Sequence, residues 1–262
     1  MEKYTTRAKQ EDLMSRAGAA LYADVVSAGS LPNAMTAALG AIGSALRALD
    51  GGWPGLSSAR VELGSRFCQI HIAVEERLFY FDCWQRGVYL AHGSNSEPLD
   101  VARAIDRWIT SDCTTDTLAA EFTFVRAESE AVFFERGEEV ERRWQRYLSN
   151  PAMLYGIEAL GDFIKAAAAR PELRQLFPYT SLHTFCFSRC TGFPYTEDTP
   201  RVTPSRDGYV VRLAKSALDP RPLLLGRGDA ETAADLVVKH LPPGCGPAVA
   251  GTAEDLGDGA GE

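Results

Sequence analysis

The chain has no surplus of basic charge. Its 27 lysines and arginines face 35 aspartates and glutamates, for a formal charge of −8. That balance counts against a general affinity for nucleic acid or an anionic membrane surface, because there is no excess cation to neutralise phosphates. Long apolar runs are also missing. The uncharged segment Leu31 to Ala45 is rich in alanine and glycine, contains Pro32 and Asn33, and is too short to span a bilayer. The start, Met1-Glu2-Lys3-Tyr4, carries charges on to Asp12 and lacks the basic-then-apolar order of a secretory signal. These absences predict a soluble, cytoplasmic protein. Its six cysteines, Cys68, Cys83, Cys113, Cys186, Cys190 and Cys245, are then expected as reduced thiols. No phosphate-cradling glycine loop, dinucleotide fingerprint, metalloprotease helix or nucleophile elbow occurs in a suitable context, so no cofactor is expected. No second close pair joins Cys186 and Cys190 to complete a ligand set, so no metal is expected either.

What is present is an ordinary globular composition, 45% hydrophobic over 262 residues, enough for one large domain or two small ones. Leu13, Ala17, Leu21 and Val25, then Met35, Leu39, Ile42 and Leu46, recur every fourth position or nearly so and predict two helical pieces between Gln10 and Asp50. Gly51-Gly52-Trp53-Pro54-Gly55 ends them. Cys68, Ile70, Ile72 and Val74 alternate with polar residues as on a half-buried strand. Further strands are expected over Arg77 to Trp84 and Val88 to Ala91, before a helix from Pro98 to Ile109 with Ser96 as a candidate cap. The stretch Glu130 to Leu176 reads as helical. Its charged start, Glu138 to Arg143, reads as a solvated face, and Pro151 reads as the first residue of a second helix. Strands over Ser181 to Arg189, Tyr209 to Leu213 and Leu223 to Leu225 follow, then a helix from Ala230 to Leu241 capped by Asp229.

The expected fold is therefore α+β, with two β-meander-plus-helix modules, an N-terminal helical segment and a helical insert. The boundaries are 1–129 for the N-terminal helices and first three-strand-plus-helix module, 130–178 for the insert, 179–250 for the second module, and 251–262 for a disordered acidic tail.

Reactive residue types crowd into one stretch, Leu182-His183-Thr184-Phe185-Cys186-Phe187-Ser188-Arg189-Cys190-Thr191-Gly192-Phe193-Pro194-Tyr195-Thr196-Glu197-Asp198. Read as a strand running into a Gly/Pro turn, it places apolar and reactive groups on both faces, as if both were covered or one lined a pocket. In a catalytic reading His183 is a general base, Arg189 a clamp for an anion or carbonyl, Cys190 a nucleophile and Tyr195 an acid. Phe187 and Asp198 would contact substrate, and the shaped loop Leu241-Pro242-Pro243-Gly244-Cys245-Gly246-Pro247 would bring Cys245 over the site. In a structural reading His183 is hydrogen-bonded at a strand start, Arg189 pairs with Asp198 or Glu197, and Tyr195 packs in the turn.

Leu173-Arg174-Gln175-Leu176-Phe177-Pro178, the segment from His183 to Tyr195, and Leu241 to Thr252 resemble an actinobacterial family of unknown fold and activity associated with natural-product biosynthesis. The resemblance implies a pathway context and no mechanism. Two functions follow as expectations. One is a cofactor-independent tailoring enzyme that acts on a ribosomally made peptide by acid–base chemistry, for example cyclisation by conjugate addition of a thiol. The other is a non-catalytic partner that binds a precursor peptide or a biosynthetic enzyme through sheet edges.

Overall fold

A computed structural model describes residues 20–51, 58–149, 158–214 and 221–257. The fold is α+β and divides into two compact units, Met1–Gln85 with Tyr89–Val132, and Arg86–Val88 with Phe133–Glu262.

In the first unit α1 (Ala23–Ala28) ends at Gly29, which supplies the left-handed φ of 81°. Ser30 then caps α2 (Leu31–Ala41) by accepting the Asn33 N–H, with Pro32 in the first turn. A six-stranded meander follows in strict chain order: β1 (Ala48–Asp50), β2 (Ser58–Leu63), β3 (Arg66–Ile72), β4 (Phe79–Gln85), β5 (Val88–Asn95) and β6 (Val125–Ala127). Helices α3 (Pro98–Thr110) and α4 (Thr115–Glu121) lie between β5 and β6. Cross-strand pairs Cys68–Cys83 and Ile70–Phe81 fill one face of the sheet, under the apolar stripe Val101, Ile105, Trp108 and Ile109 of α3. The opposite face carries Phe67, Gln69 and His71 opposite Trp84, Asp82 and Tyr80. The short helix α5 (Ala131–Glu135) leads onward.

The described residues of the second unit form α6 (Glu139–Ser149), a 3-10 turn at Glu158–Leu160, α7 (Gly161–Ala168), α8 (Pro171–Arg174), and a second meander. Its strands are β7 (Phe177–Ser181), β8 (Thr184–Ser188), β9 (Arg201–Ser205), β10 (Gly208–Leu213) and β11 (Leu223–Gly228), again neighbours in chain order. Two helices follow, α9 (Ala230–Lys239) and α10 (Ala253–Gly257). The core of this unit is aromatic. Phe185 and Phe187 project from β8 into Trp144 of α6 and Phe163 of α7, with ring centroids 5.7–6.4 Å apart. The Tyr209 hydroxyl donates to the Ala159 carbonyl at 2.9 Å and accepts the Phe163 N–H at 3.3 Å, which ties β10 to the start of α7.

Several expectations change. Among the described residues the modules have six and five strands where three each were expected, because β1, β2, β6, β7 and β9 are short or weakly alternating. The strand expected over Ser181 to Arg189 is a hairpin, in which β7 and β8 pair from Phe177–Ser188 to Ser181–Thr184 around Leu182 and His183. Leu-His is no usual turn pair, and apolar alternation on both sides disguised the break. The expected insert 130–178 overruns into β7 at Phe177 and Pro178. Glu97 takes the N-cap position of α3 where Ser96 was expected. The acidic tail is not disordered from 251: α10 occupies Ala253–Gly257, and Asp255 accepts the Thr252 N–H at 2.7 Å. The Asp229 cap of α9 is present, accepting Thr232 N–H at 2.9 Å. Leu13, Ala17, Trp53 and Pro151 lie outside the described residues.

Two substitutions test this architecture by chemical denaturation. Leu182 holds a φ of +54° while 90% exposed. Leu182→Gly is therefore expected to raise stability by about 1 kcal/mol, since a left-handed backbone costs a side-chain-bearing residue about that much. Phe185→Ala should lower stability by about 3–5 kcal/mol through the cavity it leaves.

Candidate functional site

The two faces of β8 have different neighbours. Phe185 and Phe187 enter the aromatic core, whereas Cys186 and Ser188 lie opposite Tyr179 and Phe177 on the other face. The segment from Arg189 to Thr199 folds back along β8. The Ser188 hydroxyl oxygen accepts N–H bonds from Cys190 at 3.1 Å and Thr196 at 3.2 Å, Thr196 accepts the Arg189 N–H at 2.9 Å, and Thr199 donates to the Phe187 carbonyl at 2.6 Å. The C-terminal strip fixes the outer side of this loop. Cys190 and Val249 form a parallel bridge, with Thr191 N–H on the Val249 carbonyl and Val249 N–H on the Arg189 carbonyl, both at 3.0 Å. Gly192 N–H reaches Gly251 at 2.7 Å, and Ala253 N–H reaches the Pro194 carbonyl at 2.8 Å. A side chain at Gly192 would place its first carbon 1.9 Å from the Arg86 carbonyl, so only glycine fits this approach.

Arg189, Asp198 and Cys245 are brought together. The Arg189 guanidinium pairs with Asp198 at 2.7 Å, both about one-third exposed. Burial pushes the nearby Cys245 thiol up, with Arg189 pulling it back down. Tyr195 packs on Tyr179 at 4.5 Å and on Phe177 at 5.5 Å. Burial raises its hydroxyl pKa against the opposing charge of Arg143, so it stands as a neutral phenol at neutral pH.

The other expected members of the site depart from the catalytic reading. His183 sits exposed in the turn at the far end of β8 from Arg189, six residue steps and about 20 Å away along an extended chain. It is too far away to exchange a proton with a group held by Arg189. Cys190 is fully buried, with Sγ at 3.3 Å from the Ser188 hydroxyl and 3.6–3.7 Å from the Gly192 and Pro194 carbonyls. Burial raises its pKa, the reverse of what an activated nucleophile needs. Phe187 is completely buried in the core on the opposite face, so it is no substrate contact. Among the described residues no group of three or more His, Cys, Asp or Glu side chains is placed to hold a metal ion.

Glu139 and Arg143 are the residues that sequence reasoning missed. The charged start of α6 was expected to be a solvated face. Burial instead pushes the Glu139 carboxyl above its usual range, countered by the Thr191 hydroxyl and the Arg86 and Arg143 guanidiniums. Arg143 lies 4.8 Å over the Phe177 ring. Their i,i+4 spacing, flanking the apolar positions Val140, Trp144 and Tyr147, was the available signal. Cys186 and Tyr179 were missed as a pair. Burial holds the Cys186 thiol at about 11, with Arg201 and the Tyr179 hydroxyl pulling it down.

A protein-family model described as a family of unknown function, DUF6193, matches residues 138–252. The match starts at α6 and ends in the C-terminal strip, so it lies within the second unit and contains all the residues expected for the site, together with Glu139 and Arg143. It also includes the stretch from Leu173 that carried the resemblance. Comparisons with curated proteins and with solved structures returned no match.

Two measurements follow from these thiols. Cys245 is half-buried and the other five cysteines are buried. An alkylating reagent should therefore modify Cys245 first, and Cys190 only at the rate of local opening, as peptide mass mapping would show. The folded state binds the Cys186 proton more tightly than an ordinary thiol of pKa 9.0. That stabilisation is complete below pH 9 and is lost as pH rises toward about 11. The fall in unfolding midpoint over this window should be shallower in Cys186→Ala.

Proposed function

We propose that this chain is a non-catalytic binding protein of a natural-product pathway, holding an extended precursor peptide against the open edge of its second sheet. One observation carries this reading. β11 ends the sheet, and among the described residues no strand pairs with its outer side. An unpaired edge presents a row of backbone donors and acceptors that a peptide strand can complete. Protected edges usually carry lysine or inward charge, but β11 begins Leu223-Leu224, 63% and 50% exposed. Those two side chains offer apolar contact beside the backbone hydrogen bonds. The pathway context comes from the sequence resemblance alone.

The condition of the expected catalytic set agrees with binding. Arg189 is paired with Asp198, Cys190 is sealed and protonated, and His183 is remote. A second reading, an acid–base tailoring enzyme, is favoured by one cluster: the neutral phenol of Tyr195 beside Glu139, whose carboxyl holds its proton more tightly than usual, and Arg143.

Mass spectrometry of the pathway product in cells carrying single variants separates the two. His183→Ala, Glu139→Gln and Tyr195→Phe should leave the product intact, whereas the double variant Leu223→Lys, Leu224→Lys should cut its yield by about tenfold or more. Both leucines are exposed, so circular dichroism should show the double variant folded. If Glu139→Gln or Tyr195→Phe abolishes the product and the lysine pair does not, the binding reading fails and the enzymatic one replaces it.

A further inference from the structure

The second sheet carries a like-charged cross-strand pair on the face turned away from its aromatic core. Val202, Tyr209 and Val211 point into the core, so Arg201, Thr203, Val210 and Arg212 stand on the other face of β9 and β10. In that register Arg212 lies directly opposite Arg201, and Val210 directly opposite Thr203. On the next strand Arg227 is the partner of Val210, which puts a third arginine on the same face. Like charges directly opposite each other destabilise a sheet, and more so where water is partly shut out. The Arg201 side chain is 19% exposed, and Arg212 is half-buried.

Little of this charge is neutralised from within. Among the described residues Arg212 has no carboxylate at ion-pair distance, and its Nη1 donates instead to the Thr203 hydroxyl oxygen at 3.2 Å. Glu197 lies 3.5 Å from Arg201 Nη2, beyond the roughly 2.7–2.9 Å of a tight guanidinium–carboxylate bond. The Thr203 hydroxyl that accepts from Arg212 keeps its own hydrogen, which can serve a further acceptor. The face thus combines excess positive charge with an O–H donor. An anion added between Arg201 and Arg212 relieves a repulsion already built into the fold.

We propose that this face binds the phosphate group of a small ligand between Arg201 and Arg212, with the Thr203 hydroxyl donating to it and Arg227 at the rim. Two guanidiniums reaching in from neighbouring strands need separate oxygen edges. A tetrahedral phosphate dianion offers one to each, whereas a planar carboxylate offers a single edge and half the charge. The formal charge of −8 repels a polyanion, which sets nucleic acid and anionic membrane against this patch and favours a small ligand. The site uses side chains of β9, β10 and Arg227 and leaves the backbone edge of β11 open. It therefore stands or falls apart from the peptide-binding reading.

The test is an NMR titration of the full-length chain, isotopically labelled in its arginine side chains, at constant ionic strength. The Arg201 and Arg212 resonances would be identified by their loss in Arg201→Gln and Arg212→Gln. Inorganic phosphate and methyl phosphate should shift both resonances saturably at millimolar concentration, and acetate should bind at least about fivefold more weakly. Similar affinity for the two phosphates assigns the site to a phosphate monoester; a strong preference for inorganic phosphate assigns it to the free ion. Arg212→Gln, read from the Arg201 resonance, should weaken phosphate binding by about tenfold, and Arg212→Lys should recover only part of it. Thr203→Val keeps the shape, removes the donor and should cost about threefold. Circular dichroism should show each variant folded, since none of these side chains enters the core. No saturable shift, equal binding of acetate, or unchanged affinity in both Arg212→Gln and Thr203→Val overturns the proposal.

Discussion

The second unit depends on the backbone ladder between the loop after β8 and the C-terminal strip. Four hydrogen bonds between residues 189–194 and 249–253 hold a stretch of chain that has almost no regular structure of its own. Without them Arg189, Cys190 and Tyr195 would sit on an unsupported loop, and β8 would lose the cover over Cys186 and Ser188. The ladder also sets a packing limit at Gly192, where a carbonyl passes too close for any side chain. Composition follows from this geometry: small residues line the crossing, and the polar Ser188, Thr196 and Thr199 satisfy backbone groups that the irregular path leaves over.

The same arrangement explains why reactive residue types gather along this stretch. A buried loop must satisfy its own polar backbone, and serine, threonine, cysteine and arginine are the side chains that do so at short range. Ser188 serves two N–H groups, and Arg189 is held by the carboxylate nine residues on. Tyr195 fills the face of β7 with a ring whose hydroxyl stays protonated. Crowding of chemistry along a sequence therefore marked a structural junction, with Glu139 and Arg143 supplied from a helix far away in the chain.

Much of the fold was legible because periodicity survives in single segments. α3 announced itself by Val101, Ile105 and Trp108, α9 by its Asp229 cap, and β3 and β4 by clean alternation. The Leu182–His183 turn was not legible, since neither residue is a turn former and the flanking alternation continues in phase. The site was half legible. The proximity of Arg189, Asp198 and Cys245 could be suspected from loop composition. The inward turn of Glu139 could not, because the bounding charges of α6 look alike in sequence and differ only in what packs against them. The facing of Arg201 and Arg212 was hidden for a related reason. They belong to different strands, and only strand register sets one opposite the other.

Both sheets are meanders whose neighbouring strands are also neighbours in the chain. Contacts of that kind close small loops, so each sheet can assemble as its strands leave the ribosome. Among the described residues the parallel pairing of Cys190 with Val249 is an exception, joining residues far apart in sequence. During synthesis the second sheet can thus be in place while the loop over Cys186 still waits for its partner. Closure of that unit is timed by the arrival of residues 249–253, well after the strand and loop that they cover, so the order of synthesis separates forming the sheet from sealing it.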